Sequence, residues 1–195
     1  MKLFYSKQTR SSRIVWLLEE AGVDYEIVTI ELGAADQPAD FLAASPMHKV
    51  PAIEDGDVAM ADSAAIAIYV ADRYADAGLA PAIDDPLRGQ YLFWTMYTPG
   101  VVEPAMAEKI AGTEPNPRSY GWGSFDLMIE TLEKPLSTDP WLLGEQFSAA
   151  DIITGSSVVY LRMFGMLPDS EVLNAYADRC LERPGFQKAL AMNQA

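Results

Sequence analysis

The sequence predicts an α/β domain followed by an all-α helical domain. A strand, a helix and a second strand follow one another within the first thirty residues, which is the order of a βαβ unit. A hairpin signal follows at residues 52–60. Beyond residue 86 the pattern is helical, with no comparable hairpin signal. Residues 77–86, rich in Gly, Pro and Asp, are the predicted linker, so the predicted domains span residues 1–76 and 87–195.

Hydrophobic spacing predicts the βαβ unit. A short strand is predicted at residues 3–6, and a helix from residue 11 or 12 to about residue 21. This helix has apolar residues at three- and four-residue spacing, and Gly22 fits its C-terminal stop. Residues 23–30 alternate in part between apolar and polar, which predicts the second strand, and a short helix is predicted near residues 38–44.

The hairpin and the segments on either side of it are the most informative stretch. Two apolar runs, Ala52–Ile53 and Val58–Met60, flank the turn signal Asp55–Gly56. Asp62–Ser63 then precedes an Ala-rich helix as an N-cap does. Val50–Pro51, just before the hairpin, is a bond that can be cis. One hypothesis is that this stretch binds the backbone and carboxylate of a small peptide. The spacing alone favours the alternative, which is an ordinary hairpin followed by a capped helix.

The second half of the chain is predicted to consist of helices. Residues 87–111 form one long helical pattern that Pro99–Gly100 and Pro104 should kink or interrupt. A helix cap is indicated at Ser148, because the acid Asp151 follows three residues later as in a capping box. The other predicted helices span about residues 118–133, 150–164, 170–182 and 184–192.

Composition excludes several classes of function. The formal net charge of −14 argues against nucleic acid as a partner, since phosphate binding needs basic patches. No apolar run approaches the roughly 18 residues of a membrane span, and the first residues lack the apolar core of a signal peptide, so we expect a cytoplasmic protein without a membrane partner. Cys180 and His48 are the only cysteine and the only histidine, so we expect no disulfide within the chain and no metal.

Four segments resemble those of the cytosolic glutathione S-transferase family. They are Trp16–Glu20 before Gly22, Lys49–Ile53, Asp62–Ile66 and Phe147–Ile152. The second and third, at this separation, are the most specific, and the resemblance covers nearly the whole chain. It implies a thioredoxin-like α/β N-terminal domain, an all-α C-terminal domain, glutathione as co-substrate, and a bacterial-type active-site loop of the serine or threonine kind.

The resemblance implies roles for the residues around the hairpin. Pro51 would be cis, and Val50 would hold the cysteinyl part of glutathione through its backbone, as an added strand does. Asp62 would pair with the ammonium of the γ-glutamyl end, and Ser63 would bind its carboxylate at the helix N-terminus. The residues by themselves indicated only a hairpin, an X-Pro bond and a capped helix.

Three basic residues complete the implied glutathione site. Lys49, together with His48, would lie near the glycyl carboxylate of glutathione. Arg10 would add positive potential near the sulfur. The alternative for Lys49 and His48 is a solvated surface side chain, which is the usual environment of such residues.

The implied place of thiol activation is the loop at residues 5–13. A free thiol has a pKa of about 8.5, so a hydroxyl donor and a helix N-terminus are needed to favour the thiolate. The family's usual catalytic position falls on Gln8 or Arg10, and neither is the expected serine or cysteine. The absence of cysteine from the loop argues against the branches that form mixed disulfides with glutathione.

Three hydroxyl residues are the candidate catalytic groups, in the order Ser11, Thr9 and Tyr5. Ser11 lies at the helix start, where its hydroxyl could equally cap the helix. Tyr5 ends the first strand, where packing of its ring in the core is the favoured alternative.

The implied function is conjugation of glutathione to a small hydrophobic electrophile, as in detoxification, by a homodimer. Tyr97 and Met106 are candidates to line an apolar second-substrate pocket, although core packing explains their helical spacing equally well. A non-catalytic glutathione-binding or protein-interaction module of the same fold remains an alternative. A glutathione-dependent peroxidase, isomerase or dehalogenase would share the site and differ in the second substrate.

Overall fold

A four-stranded β-sheet is the framework of the first part of the chain. The computed structural model describes residues 1–114 and 116–194. The strands are β1 (Lys2–Tyr5), β2 (Glu26–Thr29), β3 (Ala52–Asp55) and β4 (Val58–Ala61). The helices of this part are α1 (Ser11–Glu20), α2 (Ala39–Ala44) and α3 (Ser63–Arg73), followed by a 3₁₀ turn at Ala75–Ala77.

The sheet is mixed, with the strand order β2-β1-β3-β4. β1 runs parallel to β2, whereas β3 is antiparallel to both of its neighbours. Gly56, at φ 61°, takes the first position of the two-residue turn between β3 and β4, where a positive φ favours glycine. The predicted βαβ unit, hairpin and α/β fold class are confirmed.

Apolar side chains from β1, α1 and α2 form the core of this part. Phe4 and Phe41 are fully buried, and their ring centroids lie 5.6 Å apart. Every residue from Ser11 to Leu18 in α1 is buried. Burial of so much of α1 explains its predicted apolar face, and it fixes the end of the loop that enters the helix.

The last helix, α9 (Pro184–Gln194), belongs to the same compact unit as the sheet. Unit 1 comprises Met1–Ala80 and Glu182–Ala195, and unit 2 comprises Pro81–Leu181. The structure therefore differs from the domain boundaries that we predicted, in which the second domain extended to residue 195. The difference arises because α9 packs on α1, a contact that no local sequence pattern indicates.

The two helices α1 and α9 pack in opposite directions along one seam. Arg183 makes two hydrogen bonds to the Glu20 carboxylate, at 2.8 and 2.6 Å. Phe186 meets Trp16 edge to face, with ring centroids 4.6 Å apart. Asn193 at the other end of α9 bonds to Ser12 in the first turn of α1. The Trp16–Glu20 segment that carried part of the family resemblance therefore anchors the C-terminal helix.

Unit 2 consists of helices, as predicted. They are α4 (Arg88–Tyr97), α5 (Glu103–Ala111), α6 (Phe125–Leu136), α7 (Ala149–Met163) and α8 (Glu171–Leu181). A π-helical turn at Thr98–Val102 separates α4 from α5 at Pro99–Gly100, which confirms the predicted interruption.

The predicted start of α6 at residue 118 was wrong. The helix begins at Phe125, because Ser124 caps it by accepting a hydrogen bond from the Leu127 N–H at 3.2 Å. Gly121 and Gly123 precede this cap and disfavour an earlier helical turn. The helix also continues through Pro135 in its last turn, past the predicted stop.

The predicted capping box starts α7. Asp151 is fully buried and accepts the Ser148 N–H at 3.0 Å and the Leu142 N–H at 2.9 Å. Burial raises the pKa of the Asp151 carboxyl to about 6, although these hydrogen bonds favour its charged form.

We expect Gly185→Ala to destabilise the protein at the α1–α9 seam. A Cβ at residue 185 would lie 2.9 Å from Trp16 Cδ1 and 3.1 Å from Glu19 Cβ, so α9 would have to shift, at a cost of about 1–3 kcal/mol. Gly89→Ala is the matched control, because an exposed helical glycine with nothing within 4 Å should gain roughly 0.5–1 kcal/mol. Urea unfolding measures both, and equal effects of the two substitutions would contradict this packing.

Candidate functional site

Three segments that the sequence indicated lie at one end of the sheet. In the strand register, Phe4 lies opposite Ala52, and Ala52 lies opposite Ala61. β1 and β4 therefore end, and β3 begins, at the same end of the sheet. The β1–α1 loop (residues 6–10), Val50–Pro51 and the start of α3 adjoin these strand ends, so all three segments lie at that end of the sheet.

Val50, at this end of the sheet, has main-chain hydrogen-bonding groups that are not used in the described chain. The Val50–Pro51 peptide bond is cis, as the family resemblance implied. Within the described part of the chain, the Val50 N–H and C=O have no hydrogen-bond partner. Ser45, which is buried, holds the preceding residue: its hydroxyl donates to the Lys49 C=O at 2.7 Å and accepts the Lys49 N–H at 3.0 Å. An extended peptide can therefore pair with Val50 as an added strand.

Asp62 caps the N-terminus of α3, and Ser63, the first residue of the helix, has two donors without a partner in the described chain. Asp62, at φ 80°, caps the helix: its Oδ1 accepts the N–H groups of Ala64 and Ala65 at 2.9 and 3.2 Å. Ser63 is only 7% exposed. Its hydroxyl and its N–H have no partner among residues 1–114 and 116–194. Two open donors at a helix N-terminus are suited to an anion such as a carboxylate.

His48 and Lys49 lie on the surface just before this site. Both residues are exposed, and His48 has a φ of 55°. The side chains form no hydrogen bond or ion pair with the described residues. Contact of either side chain with a ligand carboxylate stays a prediction.

The hydroxyl groups of Thr9 and Ser11 are bonded to each other and to the loop backbone. Thr9 donates to the Ser6 C=O at 2.6 Å, so its single proton is used there. Ser11, 2.9 Å away, must then donate to Thr9, and it also accepts the Ser6 N–H at 3.3 Å. Ser11 is fully buried, whereas Thr9 is half-buried, and the Thr9 N–H has no partner in the described chain. Of the two, Thr9 has the surface exposure that contact with a ligand requires.

Tyr5 and Arg10 differ sharply in exposure. Tyr5 is 3% exposed, and its hydroxyl donates to Asn193 Oδ1 at 2.8 Å. Arg10 is exposed and occupies the N-cap position of α1, where its side chain makes no capping hydrogen bond. The three predicted catalytic hydroxyls therefore all donate within the protein in this structure.

The two candidate pocket residues of unit 2 have different environments. Tyr97 is buried, and its hydroxyl donates to the Met128 C=O at 3.1 Å, so it serves the core of unit 2. Burial raises the pKa of Tyr97. Met106 is half-buried in α5. A pocket lined by these residues stays a prediction.

Three residues of the site region have structural roles that the sequence analysis did not predict. Ser45 shapes the turn before Val50, and the Ser45–Pro46 dipeptide was an available turn signal. Gln8 has a φ of 56°, which is uncommon for a residue other than glycine. Asn193 bonds to Gln8 from 185 residues away, and no local signal could have found it.

Neither a metal site nor a membrane span was found in the described chain. Residues 1–114 and 116–194 hold no group of three or more His, Cys, Asp or Glu side chains that could bind a metal ion. In the same residues, no helix is long and apolar enough to cross a bilayer.

The fold and this site define the class of the protein. A mixed sheet with a cis-proline before its third strand, and with main-chain groups of Val50 and donors of Ser63 that are unpaired in the described chain, is the arrangement of a thioredoxin-like domain. A family model described as "Glutathione S-transferase, N-terminal domain" matches residues 1–72.

Known proteins resemble most or all of the chain. A glutathione S-transferase 3 of Zea mays is 28% identical, with 92% of this chain and 87% of the relative covered. The disulfide-bond oxidoreductase YfcG of Escherichia coli is 29% identical, covering 77% and 75% of the two chains. A sphingomonad glutathione S-transferase solved in complex with glutathione is 29% identical and superposes with a TM-score of 0.83 over 100% of this chain and 99% of that one. Residues 1–72 therefore match the N-terminal domain of glutathione S-transferases, and the chain as a whole is similar to members of that family.

We expect Asp62→Ala to destabilise the protein by about 1 kcal/mol, because the first-turn N–H groups of α3 lose their cap. Asp62→Asn keeps an acceptor oxygen in the same place and should change the free energy of unfolding by less than about 0.5 kcal/mol. Chemical denaturation of both variants is the measurement. Equal losses in the two variants would show that the carboxylate charge, rather than the capping geometry, stabilises α3.

Proposed function

We propose that this protein is a glutathione transferase that binds glutathione beside Val50 and Ser63, at one end of the sheet in unit 1. It conjugates the glutathione sulfur to a small hydrophobic electrophile. The observation that carries the proposal is the combination of the open main chain of Val50 and the open donors of Ser63. These groups match a short peptide that ends in a carboxylate.

Glutathione fits these groups in one direction. The cysteinyl N–H and C=O would pair with the Val50 backbone. The γ-glutamyl carboxylate would accept the N–H and the hydroxyl of Ser63, while the Asp62 Oδ2, which accepts no hydrogen bond within the described chain, would face the ammonium. The glycyl carboxylate would lie near Lys49 and His48. These local groups are needed because the net charge of −14 repels a peptide anion at long range.

The sulfur would meet the β1–α1 loop, because this loop and Val50 lie at the same end of the neighbouring strands β1 and β3. Lowering the thiol pKa by about two units requires roughly 2.7 kcal/mol of preference for the thiolate. The proposed donors are the open N–H of Thr9 and its hydroxyl, which would turn from the Ser6 C=O toward the sulfur. Arg10 would add positive potential. Thr9 thus ranks ahead of the buried Ser11 and Tyr5.

The reaction is a nucleophilic attack by the bound thiolate. The thiol proton passes to solvent, the sulfur forms a bond to the electrophilic carbon, and the leaving group departs with its electron pair. Holding the two reactants together supplies part of the rate enhancement. A homodimer and a cytoplasmic location are further proposals, supported by the chain's similarity to glutathione S-transferases.

A second candidate reaction is glutathione-dependent disulfide reduction, which the relative named disulfide-bond oxidoreductase favours. The β1–α1 loop has no cysteine, and Cys180 is buried in α8. The bound glutathione thiolate would therefore attack the disulfide, and a second glutathione would release the product as oxidised glutathione. Assays with 1-chloro-2,4-dinitrobenzene and with hydroxyethyl disulfide separate the two reactions.

We expect Ser63→Ala to raise the glutathione Kd about tenfold or more, since a hydrogen bond to a charged group is lost. Because the Ser63 hydroxyl has no partner in the described chain, the free energy of unfolding should change by less than about 0.5 kcal/mol. Ser124→Ala is the matched control: it removes the α6 cap, so stability should fall by about 1 kcal/mol while the Kd stays the same. Titration calorimetry and urea unfolding measure both quantities.

Two results would contradict the proposal. The wild-type protein could fail to bind glutathione in the calorimeter, which would remove every reaction suggested for this site. Binding without turnover of either probe substrate would leave a glutathione-binding module in place of an enzyme.

A further inference from the structure

The side chain of Asn193, in the last turn of α9, bonds to three points around the β1–α1 loop. Its Oδ1 accepts the Tyr5 hydroxyl at 2.8 Å and the Gln8 N–H at 3.0 Å. Its Nδ2 donates to the Ser12 hydroxyl oxygen at 2.9 Å, and that oxygen also lies 3.1 Å from Oδ1. The two lone pairs of Oδ1 are used by Tyr5 and Gln8, so Ser12 is the acceptor. One amide therefore joins the end of β1, the loop and the first turn of α1.

The seam between α1 and α9 determines the position of this amide. Phe186 and Asn193 are seven residues apart, about two helical turns, and so lie on the same face of α9. On α1, Ser12 and Trp16 are one turn apart and receive these two residues. The loop conformation therefore depends on the packing of a helix from the far end of the chain.

Gln8 is the residue whose conformation needs this support. Its φ of 56° is in the left-handed region, which residues other than glycine rarely adopt. The Asn193 Oδ1 is the acceptor of its N–H. Thr9 follows directly, so the direction of the Thr9 N–H and hydroxyl depends on the backbone at Gln8.

We propose that Asn193 is a positioning residue for glutathione activation: it holds Gln8 so that Thr9 faces the thiol, and it keeps the Tyr5 hydroxyl out of the reaction. This inference rests on the proposed function. Asn193 bonds neither to Val50 nor to Ser63, the proposed groups for holding the peptide, so its effect should fall on the chemistry and spare the affinity.

Asn193→Ala is the test, with Asn174→Ala as the matched control. Asn174 is also half-buried in a helix, and its side-chain amide donates to the Ser170 C=O at 2.9 Å, in unit 2. Asn193→Ala should speed hydrogen exchange of the Gln8 amide at least about tenfold without glutathione present. It should raise the pKa of the bound glutathione thiol by about one unit, and lower kcat about tenfold while KM for glutathione changes less than about twofold. Asn174→Ala should change none of these.

Each alternative result overturns the inference in a recognisable way. An unchanged Gln8 exchange rate would show that Asn193 does not hold the loop. Faster exchange with an unchanged thiol pKa and kcat would show that the loop position is irrelevant to the chemistry. A lower thiol pKa in Asn193→Ala would mean that the released Tyr5 hydroxyl is the better donor. If the wild-type protein itself leaves the pKa of glutathione at its free value, the proposed function and this inference fail together.

Discussion

The pairing of β3 with β1 on one side and β4 on the other is the constraint on which the site depends. It brings the β1–α1 loop, Val50 and Ser63 to the same end of the sheet, although they are far apart in sequence. A slip of one residue would turn every side chain of β3 to the other face of the sheet. Buried Phe4, Ala52 and Ile53 make such a slip costly. The same strand register therefore determines the hydrophobic core and the positions of the candidate site residues.

The candidate site at the end of the sheet combines polar groups that have no hydrogen-bond partner in the described chain with hydroxyls that are already hydrogen-bonded. Val50 and Ser63 have open donors and acceptors, so a ligand can bind them without breaking any bond of the protein. The hydroxyls of Thr9 and Ser11 instead satisfy each other and Ser6. These bonds hold the loop in place when no ligand is bound. Activation of a thiol would exchange one of them for a hydrogen bond to the sulfur.

Local patterns predicted the elements that local interactions determine. The Asp-Gly step, the caps at Asp62 and Ser148 and the proline-interrupted helix all appear as the sequence indicated. The α6 boundary was missed because the Ser124 cap outweighed an apolar pattern that began earlier. Roles for Val50 and Ser63 came from the family resemblance. The contacts of Asn193 could not be predicted, since they join residues more than 180 positions apart through the packing of α9 on α1.

The most direct test of the account is a crystal structure of the protein with glutathione bound. The account predicts a peptide antiparallel to Val50, its γ-glutamyl carboxylate within hydrogen-bond distance of the Ser63 N–H and hydroxyl, and its sulfur within reach of Thr9. Glutathione bound away from Val50 and Ser63, or a sulfur that faces Ser11 or Tyr5 in place of Thr9, would contradict it.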